Sequence, residues 1–175
     1  ASYRRQRQMC IRDRILAGGK SSRMGQDKAT MFGGVERIYQ ECIYAGIPRI
    51  ITLCGREDRK QVFPGEVWAD PPNSRNLVQI IQWVLTKLEG DVLLVPCDAF
   101  NLTKKGITQL TKLSDCIPLD ERGIRQPLHA KICQRRLLNL EGRSINELFV
   151  NFPDVEISGL TSEFNNFNSR EDLKN

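Results

Sequence analysis

Residues 16–29 read Leu16-Ala17-Gly18-Gly19-Lys20-Ser21-Ser22-Arg23-Met24-Gly25-Gln26-Asp27-Lys28-Ala29. Three glycines, two serines and three cations stand in these fourteen positions. Glycines let the backbone turn sharply and bring bare N–H groups against a ligand. Successive N–H groups of that kind form a nest for an anion. Arg23 and Lys28 add full positive charges suited to a polyphosphate. Holding a nucleoside triphosphate is the chemistry these residue types could do. The spacing excludes two common phosphate loops. Gly19-Lys20-Ser21 would close a P-loop, but position 14 is arginine where the first glycine belongs, and Gly18-Gly19 does not fit G-x-G-x-x-G.

Two carboxylates stand just past apolar runs. Asp98 follows Val95-Pro96-Cys97. Ligands of open α/β sheets bind beyond the carboxyl ends of strands, and a carboxylate there can hold a hard cation such as Mg²⁺ through oxygen. Asp70 follows Val67-Trp68-Ala69 and precedes Pro71-Pro72, so it reads as a nucleotide contact or as a turn residue. Asn166 and Asn168 lie two apart and would share a face of a strand. His129 is the chain's one histidine and sits among apolar residues, which suits a structural role better than that of a base. Arg125 and Arg143 are candidates for the phosphate of a second substrate.

The first block resembles the signature L-A-G-G-x-S-x-R-M-G-x-D-K of nucleotidyltransferases with a Rossmann-like fold. Its double glycine and Asp27-Lys28 pair are most similar to the molybdenum cofactor guanylyltransferases. Cys97-Asp98, Gln126-Pro127-Leu128-His129 and 164–173 resemble later family segments, so the likeness runs from 15 to 173. It implies a three-layer αβα fold of the nucleotide-diphospho-sugar transferase type, with a mostly parallel sheet. It implies transfer of GMP from GTP to molybdopterin, with release of pyrophosphate. Backbone groups of Leu16, Ala17, Gly18 and Gly19, with Arg23 and Lys28, would hold the triphosphate. Asp98 would bind Mg²⁺, and Asp70 would touch the nucleotide. Asn166 and Asn168 would face the pterin-bearing substrate. Molybdoenzymes or cofactor chaperones would be partners. The family continues after its Asp with Gly-Pro-Leu, whereas this chain has Ser74-Arg75-Asn76-Leu77-Val78. That departure leaves room for CTP, a sugar-phosphate acceptor or a nucleotide-binding module without turnover.

Elements that could position these residues alternate along the chain. Apolar spacing predicts helices over 35–45, 76–88 and 102–113, the last capped by Thr103. Short apolar runs predict strands at 49–54, 67–68 and 91–96. Such alternation implies a parallel sheet with crossover helices. Strands are further expected at 128–133, 155–157 and 164–168. Ser144-Ile145-Asn146-Glu147 is a capping-box pattern, and a final helix is expected from Ser169.

The run 4–14 breaks the pattern. Central parallel strands are buried on both faces and read as continuous apolar runs, yet Arg12, Asp13 and Arg14 lead into the glycine loop. The run matches the translation of a common transposon-based sequencing-library adapter. The expectation is a non-native leader over 1–14, no stable central strand from it, and one nucleotidyltransferase domain over 15–175. The whole chain has 26 Lys and Arg against 21 Asp and Glu, a net +5. Without the five arginines and one aspartate of 4–14 the balance is +1, which argues against nucleic-acid binding. At 175 residues and 40% hydrophobic content the chain suits one domain with a full core. No apolar run approaches the ~20 residues of a membrane span. The scattered cysteines contain no C-x-x-C, which fits a reducing cytosol better than a disulfide framework or a zinc site.

Overall fold

The computed structural model of the chain describes residues 11–16, as backbone only, and 33–165. Strand β1 is Ile11–Leu16, followed by helix α1 at Gly34–Tyr44, β2 at Ile50–Gly55, β3 at Glu66–Ala69, α2 at Leu77–Thr86 and β4 at Asp91–Pro96. Then come α3 at Lys104–Lys112, β5 at Ile117–Pro118, β6 at Lys131–Ile132, α4 at Ile145–Leu148 and β7 at Asp154–Val155. The main sheet has the order β3-β2-β1-β4-β6. β1 to β4 run parallel, and β6 joins β4 antiparallel. A second, two-stranded parallel sheet pairs β5 with β7.

Alternation along the strands sorts the core into two layers. Ile50 and Cys54 of β2 and Leu93 and Val95 of β4 pack with Val35, Ile38 and Cys42 of α1 and Ile107 and Leu110 of α3. Ile51 and Leu53 with Val92 and Leu94 face the other way, against Val78, Ile81, Val84 and Leu85 of α2 and Leu148 of α4. The buried helix residues recur at the three- and four-residue spacing of one helix face. The result is the expected three-layer αβα arrangement around a mostly parallel sheet.

The strand expected to begin near Ile15 instead spans Ile11–Leu16, between β2 and β4. The boundary expected between residues 14 and 15 therefore falls inside a central strand. Asp13 is in register with Ile50 and Leu93, and Arg14 with Ile51 and Leu94. The physical reason is that a ladder is made by backbone N–H and C=O groups, which every one of these residues carries.

Further along, the strand expected over 128–133 is a 3-10 turn at Pro127–His129 followed by the short β6. Phe164, the expected start of another strand, instead ends a 3-10 turn at Thr161–Phe164. The final helix expected from Ser169 lies outside the described residues. Cys54 is buried and Cys97 half-buried, and the described cysteines are free thiols. No helix among the described residues is long and apolar enough to cross a membrane.

Candidate functional site

Because β1 to β4 are parallel, their carboxyl ends line one edge of the sheet. Leu16, Gly55, Ala69 and Pro96 are the last residues of these strands. The loop that leaves each of them therefore starts at the same edge. The strand order reverses at the border of β1 and β4: β2 and β3 extend to one side of β1, and β4 lies on the other. Such a reversal opens a crevice in which α/β sheets bind ligands. Leu16 is in register with Pro96 across that border and with Leu53 on its other side. The ends of β1 and β4 thus lie side by side on that edge. Ala17, Gly18, Gly19, Arg23 and Lys28 lie outside the described residues, as do Asn166 and Asn168.

Asp98 comes after β4 in a tight turn. The Ala99 N–H donates to the Pro96 carbonyl at 3.2 Å, and the Phe100 N–H to the Asp98 carbonyl at 2.8 Å. The turn is held from α1, whose Arg37 guanidinium donates to the carbonyls of Ala99 and Leu102. Asp98 itself is half-buried and sits in the wall of a cavity of about 510 Å³. The rest of that wall is Pro96, the segment Arg122–His129 without Gly123, Ser144, Ile145, Asn146 and Asn165.

Asp70 stands elsewhere on the same edge. Its N–H donates to the Gly55 carbonyl at 2.8 Å and ties the ends of β2 and β3 together. Its half-buried carboxylate accepts no hydrogen bond from the described residues, and burial raises its pKa above the usual carboxylate range. It lines a second cavity of about 570 Å³ with Gly55, Arg56, Glu57, Ala69, Pro71, Pro72 and Ser74. The Asp70 and Asp98 cavities are separated by the end of β1, as the strand order requires.

The loop that roofs the Asp98 cavity is built on a buried carboxylate. Asp120 accepts from the N–H groups of Arg122 and Ile124, from Gln126 Nε2 and from the Arg122 guanidinium. Burial works to raise its pKa, but these donors prevail and hold it below the usual range. Arg125, expected as a phosphate ligand, is in the wall of the same cavity, and its guanidinium has partners within the fold. Its guanidinium donates to Asp154 and to the carbonyls of Phe149 and Phe152, so it clamps β7 and the end of α4. Arg143 is exposed and is absent from the cavity wall among its described residues. Arg122, which sequence reasoning passed over, reaches that wall with its side chain 59% exposed. Ser144, Asn146 and Asn165 were also missed. They come from loops and helix ends with no periodicity, and only the nearness of Asn165 to Asn166 could have flagged one of them.

A metal would find oxygen ligands at Asp98. Among the described residues no group of three His, Cys, Asp or Glu side chains lies close enough to enclose an ion. A single carboxylate at the crevice on the sheet edge suits Mg²⁺, which typically takes one or two carboxylates and completes its shell with substrate phosphate oxygens and water.

Comparisons with known proteins agree with this arrangement. Solved structures are similar in fold over nearly the whole chain. A nucleotidyl transferase from Methanothermobacter thermautotroptrophicus superposes with a TM-score of 0.72 at 18% identity, covering 95% of each chain. Molybdopterin-guanine dinucleotide biosynthesis protein A from Archaeoglobus fulgidus gives 0.67 at 18% identity, covering 93% of this chain and 95% of that one. The bifunctional IspDF of Campylobacter jejuni gives 0.68 at 13% identity, covering 94% of this chain and 53% of that one. No curated protein sequence matches. The pattern described as the MobA-like NTP transferase domain matches residues 14–149, which is most of the chain and includes Asp70, Asp98 and the cavity-roofing loop. The chain belongs to the MobA-like NTP transferase domain family.

Proposed function

We propose that this nucleotidyltransferase-family chain moves GMP from GTP onto the phosphate of molybdopterin and releases pyrophosphate. The observation that carries the reading is the pair of cavities on the carboxyl edge of the sheet, one at Asp70 and one at Asp98, with the end of β1 between them. A two-substrate transfer needs two such places and a phosphate-holding segment where they meet. The segment that enters at the end of β1 is the glycine-rich run with Arg23 and Lys28. A similar fold is carried by the Archaeoglobus protein named for molybdopterin-guanine dinucleotide biosynthesis.

In this reading the nucleotide lies from the Asp70 cavity towards the segment after Leu16. The half-buried Asp70 carboxylate accepts from the base or ribose. Backbone N–H groups of 16–19, with Arg23 and Lys28, hold the triphosphate and neutralise charge that grows on the leaving pyrophosphate. The acceptor enters the Asp98 cavity. An oxygen of its phosphate attacks the α-phosphorus of GTP. A new phosphoanhydride bond forms as the bond from the α-phosphorus to the bridging oxygen breaks, and that oxygen leaves with its electron pair on pyrophosphate. A phosphate is already anionic at neutral pH, so alignment does most of the work and no general base is required. Asp98 would hold Mg²⁺, which when bound supplies Lewis-acid polarisation of phosphoryl oxygens.

The departure at Arg75–Val78 favours one alternative, a different base. In the structure Asn76 caps α2 by accepting from the Gln79 N–H, so the segment is a helix start beside the Asp70 cavity. The test is a panel of GTP, CTP, ATP and UTP with molybdopterin and Mg²⁺, read by mass spectrometry of the product. The reading expects molybdopterin guanine dinucleotide. A cytosine product would reassign the base, and no dinucleotide from any pair would sink the reaction.

A further inference from the structure

His129 is the least explained polar group of the fold. It is 1% exposed, and both ring nitrogens are buried without a hydrogen-bond partner. Its ring packs edge-on against Phe164, with centroids 5.5 Å apart. A phenylalanine would make the same kind of contact without orphaned nitrogens. Buried polar groups are nearly always paired, and one that is not calls for a reason beyond packing. Leaving such a group unpaired is costly.

His129 is also among the residues that line the 510 Å³ cavity that holds Asp98. That volume falls in the range of small-molecule sites. Leu128 and Ile145 supply apolar wall, and Asn165 a polar edge. Burial drives the His129 pKa down to about 3, so the ring is neutral at physiological pH. A neutral imidazole carries one N–H donor and one bare nitrogen acceptor. An uncharged polar group that both donates and accepts can match either nitrogen, whereas an ionised phosphate can only accept from the N–H.

We propose that His129 determines acceptor specificity by exchanging a hydrogen bond with an uncharged polar group on the body of the phosphate-bearing acceptor that fills the Asp98 cavity. This rests on the reading of that cavity as the acceptor site. The orphaned nitrogen would then gain its partner from the bound acceptor. An acceptor without a matching polar edge would leave it unpaired and would be rejected, which is how buried hydrogen-bonding sites discriminate strongly.

Because His129 is the only histidine in the chain, ¹⁵N-histidine labelling reports its ring and nothing else. The full chain is titrated first with Mg²⁺ and GTP, then with molybdopterin. The imidazole nitrogen resonances are expected to stay in place on GTP and to shift on molybdopterin. In parallel, His129→Phe is expected to raise the molybdopterin KM about tenfold or more, with GTP affinity and kcat at saturating acceptor near wild type. His129→Gln, which can still hydrogen-bond, should recover part of the loss. Thermal melting of His129→Phe at neutral pH should be unchanged or higher. Molybdopterin turnover with unmoved resonances and an unchanged KM in His129→Phe would overturn the assignment while leaving the reaction intact. If GTP binds but molybdopterin is neither bound nor used, the reaction fails, and the assignment to this acceptor site falls with it. Should His129→Phe not fold, the wild-type titration decides alone.

Discussion

Asp98 sits in the turn that ends β4, where the Arg37 guanidinium fixes the carbonyls of Ala99 and Leu102. The backbone hydrogen bonds of the turn do not use its carboxylate, and asparagine keeps its size. Asp98→Asn is expected to lower kcat by ~100-fold or more, typical of losing one preorganised electrostatic group, with a smaller effect on GTP affinity. Steady-state titration of GTP and Mg²⁺, with circular dichroism for folding, checks this, and near-normal turnover by a folded variant would contradict it. His129 supplies a second residue-scale expectation, on stability. In the unfolded chain its pKa is near the ordinary 6.5, and in the fold it is about 3. Between these values the unfolded state holds a proton that the folded state does not. Stability is therefore free of this cost above 6.5 and falls as pH drops towards 3, by up to ~1.4 kcal/mol per pH unit. His129→Phe should remove that slope, so urea midpoints of variant and wild type should diverge in the variant's favour from pH 7 to pH 4. Parallel curves would contradict the buried neutral ring. At this scale Asp98 and Asp70 were legible, because a carboxylate directly after a short apolar run predicts its own location. The contacts of Arg125 were not legible, because its partners Phe149, Phe152 and Asp154 are 24 or more residues away in sequence.

Helix α3 leaves the Asp98 turn, and its first turn is capped from three directions. Thr103 Oγ1 accepts from the Lys105 N–H, Glu41 of α1 accepts from the Lys104 N–H, and Glu163 accepts from the N–H groups of Thr103 and Gly106. Glu163 also accepts from the Thr103 hydroxyl. Carboxylates suit a helix N-terminus, where free N–H groups and the helix dipole both favour negative charge. The Glu163 contact also accounts for a glycine inside the helix. A Cβ on Gly106 would stand 2.5 Å from Glu163 Oε2 and 2.9 Å from Leu102 Cδ1. Glu163→Ala leaves part-buried donors unmet and is expected to cost about 2 kcal/mol, on the order of 4–8 °C in Tm. A melting curve within a degree of wild type would contradict the cap. The Thr103 cap was legible because it is local. The Glu41 and Glu163 caps were not, since they arrive from about 60 residues away. The helices α1, α2 and α3 were legible from their three- and four-residue spacing. The short β5 was not expected, because two residues show no period, whereas β6 and β7 overlap the strands expected over 128–133 and 155–157.

Across the whole molecule the parallel sheet fixes what meets what. Its strand order sets Asp70 and Asp98 on opposite sides of the end of β1, and two clusters of apolar side chains hold that order from both faces. The sequence of β1 conflicts with its place. Arg12, Asp13 and Arg14 occupy its middle, between β2 and β4, whose registered residues Ile50, Ile51, Leu93 and Leu94 are buried. Charged residues in a strand flanked on both sides are disfavoured relative to apolar ones. Replacing residues 12–14 with valines is expected to raise Tm by several degrees, and an unchanged or lower Tm would contradict this account of the strand. The alternation of strands and helices made the layer architecture legible, while the extent of β1 was hidden because its composition argues against a strand that its backbone nonetheless forms.

The central claim is transfer of a nucleotidyl group between two sites on one sheet edge, and the fate of the α-phosphate tests it most directly. The chain is incubated with molybdopterin, Mg²⁺ and GTP labelled at either the α- or the γ-phosphate, and the products are separated. The account predicts the α label in a molybdopterin dinucleotide and the γ label in pyrophosphate, with both products lost together in Asp98→Asn. A γ label transferred to the acceptor, or released as inorganic phosphate with no dinucleotide formed, would contradict it.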